Sequence, residues 1–167
     1  MLYFSGAFAT ARERYGAWLL EYPRSSVVTF SFKRSVVLDN EVATSELGFI
    51  CDHGDHPRLV AILVPFNGTF ENLRDAVPVL IRRGSDNPFD LLQKWKNGNE
   101  YIFLDTKDEV HELASFLKAE EADSEKSTHF YFPKDADAGQ NANHIVIDVS
   151  GFSDGFSTFQ KVCASAR

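Results

Sequence analysis

Cysteine is scarce in this chain: two residues, Cys51 and Cys163, in 167. That leaves no second Cys/His pair to complete a structural zinc site of the usual four ligands. Long apolar runs are absent too. None approaches the roughly 18 residues a membrane-spanning helix needs, so the chain is not read as transmembrane. Basic residues are outnumbered, 17 Lys and Arg against 24 Asp and Glu, for a net charge of -7. An acidic surface repels a phosphate backbone, which excludes nucleic acid as the natural partner. No phosphate-binding loop, dinucleotide fingerprint or HExxH is present, and no cofactor is implied. The first hundred residues carry no strong helical period. A parallel α/β sheet needs crossover helices, so that topology is excluded.

What remains is β patterning. Hydrophobic residues make up 44% and charged residues 25%, the balance of a globular chain. A chain of this length can bury one core without metals or many staples. Val28, Phe30 and Phe32 alternate with Thr29, Ser31 and Lys33, the period of a half-buried strand. "ELGFIC" and "RLVAILVP" flank "DHGDHP", which predicts a hairpin. "VPVLIRR", "EYIFLD", "STHFYFP" and "HIVIDVS" read as further strands.

Two segments change period. Val110, Leu113, Ala114 and Leu117 recur at helical spacing behind Thr106-x-x-Glu109, a capping box. This mid-chain helix is predicted to fade through the charged "KAEEADSEK", with Glu120 and Glu121 on a solvated face. A C-terminal helix places Phe152, Phe156, Phe159 and Cys163 on one apolar stripe, with the phenylalanines docking it on the core. Trp18 and Trp95 read as core anchors. The expected fold is mainly β, with antiparallel sheets in a β-sandwich-like arrangement, one mid-chain helix and one C-terminal helix.

The N-terminus, "MLYFSGAFATARERYG", reaches Ala9-Thr10-Ala11 before its first charge. Ala-x-Ala after an apolar stretch looks like the end of a secretory signal peptide, although the basic n-region is missing. Residues 1–11 are therefore read as a signal-peptide remnant, and residues 12–167 as a single β-rich domain. In an oxidising compartment Cys51 and Cys163 can pair. In a reducing one, two isolated cysteines are more often unpaired core residues. The export hint favours pairing.

Two motifs invite a catalytic or metal reading. Gly151-Phe152-Ser153-Asp154-Gly155 is a literal G-x-S-x-G between a strand and a helix, the context of a hydrolase nucleophile elbow. An elbow serine needs a histidine and an acid, which follow it in the chain in the α/β-hydrolase order. No histidine follows Ser153. A helix start explains the same residues: Ser150 or Ser153 as N-cap, Asp154 in the first turn and Gly151 at the bend. In "CDHGDH", Cys51, His53 and His56 are metal-ligand types within six residues. Asp, His and Gly at a hairpin tip are also ordinary turn composition.

Taken in order, Trp18 in "YGAWLLEY", the strand ending in Cys51, "LVAILVP", "LLQKWKNGNEYIFLD" and the closing "VIDVSGFSDGFSTFQKVC" form a pattern. It resembles exported bacterial accessory proteins of the VasI/TagO type, associated with type VI secretion. It is also similar to invasion-associated locus B proteins, which share the S-G-F turn. The resemblance runs from about Trp18 to Cys163 and implies a periplasmic or secreted β-sandwich without catalytic residues. It further implies a disulfide between Cys51 and Cys163. The acidic insertion "EEADSEKSTHFYFPKDADAG" departs from the pattern by its length. The function so implied is a non-enzymatic accessory domain that binds a protein partner in the cell envelope or the host. The alternatives are a small serine hydrolase using Ser153 and a metal-binding module at Cys51–His56.

Overall fold

A computed structural model describes residues 11–22, 27–38, 40–52, 58–65, 75–83, 90–123, 126–133 and 142–165. Among these residues ten strands and two helices follow one another. They are β1 (Ala11–Tyr15), β2 (Trp18–Tyr22), β3 (Val27–Leu38), β4 (Glu41–Asp52), β5 (Arg58–Val64), β6 (Ala76–Arg82), β7 (Asp90–Asn97), β8 (Ile102–Leu104), α1 (Lys107–Ala122), β9 (Ser127–Pro133), β10 (Ala142–Asp148) and α2 (Phe152–Ser165).

The strands form one hydrogen-bonded antiparallel sheet in the order β1-β2-β3-β4-β5-β8-β7-β6-β9-β10. The architecture is mainly β with one mid-chain and one C-terminal helix, as expected. A single sheet replaces the separate sheets of a simple sandwich, and it curls until its ends approach. The Ala17 N–H donates to the Ser150 carbonyl at 3.1 Å. The Trp18 indole N–H donates to the Asp148 carbonyl at 2.8 Å, joining β2 to the end of β10. Curling follows from the right-handed twist that strands accumulate across a wide sheet.

Alternation sends Trp18, Leu20, Phe30, Phe49, Cys51, Leu63, Val79 and Trp95 to the inner face, where they are buried. Both helices pack on that face. Along α2, Phe152, Phe156 and Phe159 are buried. Phe152 meets Trp18 edge-on with ring centroids 4.9 Å apart, and Phe156 meets Phe49 edge-on at 5.0 Å. Such geometries suit the ring quadrupole and add to the area buried. The N-cap half of the capping box of α1 forms: the Thr106 hydroxyl accepts from the Glu109 N–H, and the Glu109 carboxylate accepts from that hydroxyl.

The mid-chain helix ends within the charged stretch, at Ala122, as expected. The reading of its acidic pair is corrected: Glu120 and Glu121 are not a solvated face. Glu120 is 1% exposed and pairs with the Arg83 guanidinium, which also reaches Asp123. The Glu120 hydrogen bond, ahead of the Asp123 one, holds Arg83 above its ordinary pKa. Glu121 accepts from the Gly151 N–H at 2.6 Å and the Ser153 N–H at 2.7 Å. The start of α2 is therefore capped by a carboxylate from α1. Ser150 instead donates through its N–H and hydroxyl to Asp148.

The disulfide between Cys51 and Cys163 is present, with a Cα–Cα distance of 6.1 Å and a sequence separation of 112. It ties the inner face of β4 to the last turns of α2.

Candidate functional site

In an antiparallel sheet with one face on the core, the other face is ordinarily polar. On β4, β5 and β8 it is not. Ile50 stands opposite Val60 in register, and Ile62 stands opposite Phe103. With Val27, Val64 and Tyr101 they line an open groove of about 490 Å³ on the outer face. Tyr101 is 41% exposed, and its ring centroid lies 5.8 Å from that of Phe103. Charge is confined to the rim. Asp52 and Arg58 face each other in register at one end, and Asp105, paired with Lys96 at 2.7 Å, lies at the other. An apolar floor with a charged rim is the anatomy of a protein-binding surface.

The groove follows from the run "RLVAILV". Strict alternation would make every second residue of β5 polar. Here Val60, Ile62 and Val64 face outward, while Ala61 and Leu63 face the core. The sequence carried this signal as an unbroken apolar run, the pattern of a strand covered on both faces. The reading of β5 as one arm of a hairpin passed over it.

The sequence-derived candidates lie elsewhere. Ser153 sits in the first turn of α2, half-buried, and its backbone N–H serves the Glu121 cap. Among the described residues the bonded histidines are His129 and His144, which contact each other at 2.7 Å between Nδ1 and Nε2. The glycines of the G-x-S-x-G have packing reasons. Gly151 has φ +79°, and a Cβ there would strike the Tyr15 carbonyl. A Cβ on Gly155 would strike the Phe30 ring. His53 and His56 lie outside the described residues. Cys51 is bonded to Cys163, so its sulfur is not available as a thiolate ligand. Among the described residues no group of three or more His, Cys, Asp or Glu could hold a metal ion. No described helix is long and apolar enough to cross a membrane.

His144 and His129 stack with Tyr131 on the outer face of β9 and β10. The His144 and Tyr131 rings lie 4.6 Å apart and nearly parallel. Partial burial, then the neighbouring His129 and Arg34, hold His144 below the usual histidine pKa.

No protein-family model matches the chain, and no curated protein sequence matches it. Among solved structures it is similar to invasion associated protein B from Bartonella henselae. The identity is 14% and the TM-score 0.56, over 92% of this chain and 98% of that one. At that identity the likeness is one of fold. It supports the invasion-associated side of the resemblance and not the type VI accessory side.

Proposed function

We propose that this chain is a non-enzymatic exported domain that binds a protein partner, in the cell envelope or in a host, through the outer groove of β4, β5 and β8. The observation that carries the reading is the apolar outer face around Ile62 and Phe103. Leaving it in water would cost roughly 25 cal/mol per Å² of apolar surface relative to covering it. Export is supported by the Cys51–Cys163 bridge, since such bonds persist in oxidising compartments. The fold shared with an invasion-associated protein supports a role in host interaction. In this reading a signal peptide ends near Ala11, and N-terminal sequencing of the native protein returns a chain beginning near Arg12.

The test is a pair of variants in the native host. Ile62→Lys and Phe103→Lys place a charge on the groove without touching the core. The expected result is loss of a discrete crosslinked partner with unchanged thermal stability, while Ser153→Ala retains the partner. Labelling by a fluorophosphonate that disappears in Ser153→Ala would instead establish the serine hydrolase reading.

A further inference from the structure

The two ends of the sheet are protected unequally. At one end β1 is short and reads Ala-Arg-Glu-Arg-Tyr, with Arg12, Glu13 and Arg14 exposed. Short, charged edge strands resist pairing with another chain. At the other end β10 is seven residues long and reads Ala-Asn-His-Ile-Val-Ile-Asp, with no charge before Asp148 and no proline. Among the described residues no strand pairs with it on its outer side.

The direction of its backbone groups can be fixed. The Val149 N–H donates to the Lys126 carbonyl, on the β9 side. The Asp148 carbonyl is taken by Trp18, on the opposite side. Peptide groups alternate in direction along an antiparallel strand. The N–H and C=O groups of Val146 and His144 therefore point the same way as those of Asp148, away from β9.

They point toward a second open edge. β2 begins at Trp18, opposite Phe32, so among the described residues 33–38 of β3 pair only with β4. A cleft of about 480 Å³ separates these edges, lined by Lys33, Arg34 and Ser35 from β3 and by Lys126, Val146 and Asp148 from the other side. On a chain of net charge -7 this cleft gathers three cations. Of these, Lys33 is partly engaged by Glu46 at 3.5 Å. Asp148 is turned to Ser150.

We propose that this cleft accepts an added strand: an acidic, extended segment of a partner protein that pairs with the edge of β10 beside residues 33–38. Backbone hydrogen bonds hold such a segment, and side chains on alternate positions select it. Lys126 and Arg34 supply the charge that favours glutamate or aspartate on the segment. The surface is separate from the apolar groove and shares no residue with it.

The probe is a fluorescein-labelled heptapeptide of alternating glutamate and valine, titrated by anisotropy into the disulfide-bonded protein. Two control peptides accompany it, one with lysine for glutamate and one N-methylated on alternate amides. The expected result is saturable binding of the first peptide, with both controls weakened by at least about tenfold. Arg34→Glu and Lys126→Glu should each weaken the first peptide severalfold and flatten its salt dependence. Val146→Pro, which removes an edge N–H, should abolish binding. The charge variants and the N-methylated peptide decide the matter if that variant fails to fold. Absence of binding up to about 1 mM, or equal binding of the N-methylated peptide, would overturn the proposal. So would a concentration-dependent dimer that Val146→Pro dissolves, because the occupant would then be a second copy of this chain.

Discussion

Gly151 and Gly16 meet back to back, each at positive φ, +79° and +54°, where the β1–β2 turn rests on the β10–α2 turn. A side chain at either position meets backbone rather than a movable neighbour. Gly151→Ala should therefore lower unfolding stability by at least about 2 kcal/mol, from left-handed strain plus the clash. Urea denaturation checks this. Glu121 acts on the same turn by taking two N–H groups of α2. Glu121→Ala should cost about 1–2 kcal/mol, in the range of other lost caps, whereas Ser153→Ala should stay within about 0.5 kcal/mol. His144 adds a pH dependence. Its folded pKa lies below the ordinary 6.5, chiefly through lost solvation and then through the charges of His129 and Arg34. The unfolded chain thus binds the proton more readily, and stability falls as pH drops through 6.5 and the folded value. The urea midpoint should decline in mild acid, and His144→Gln should remove part of that decline.

At the scale of elements, local periodicity was sufficient wherever neighbours in sequence are also neighbours in space. The alternation around Phe30 and the Thr106 cap of α1 show within a few residues of sequence, and β4 pairs with the next strand along the chain, β5. The phenylalanine stripe of α2 was equally legible, because a helix of that pattern has one face to bury. What escaped were partnerships across the chain. Glu120 and Glu121 looked solvated because their partners, Arg83 and the N–H groups of Gly151 and Ser153, are some thirty residues or more away. The G-x-S-x-G was legible as a helix start, but its spacing alone does not reveal that Tyr15 and Phe30 forbid side chains at Gly151 and Gly155. The groove was half legible: β5 shows an unbroken apolar run, but only the register beside Ile50 and Phe103 shows which face is left over.

Across the whole molecule, the Cys51–Cys163 bridge closes a loop spanning most of the chain, from β4 in the first half to the last turns of α2. In the chain-entropy view a link over so long a loop is worth about 4–5 kcal/mol. Cys163→Ser should lower stability by up to that amount, and reductant should do the same to the native protein but nothing further to the variant. A rigid, cross-linked frame leaves the outer face of β4, β5 and β8 as a preformed surface, and binding there needs little ordering of the frame itself. The measurement that tests this most directly is site-specific photocrosslinking in the native host. A photoreactive residue replaces Ile62 in the groove or, as a control, Lys94, which is exposed on β7 and lines neither the groove nor the cleft. The expected result is one discrete protein adduct at position 62 and none at position 94. Equal adducts at both positions, or none at 62, would contradict a partner-binding groove.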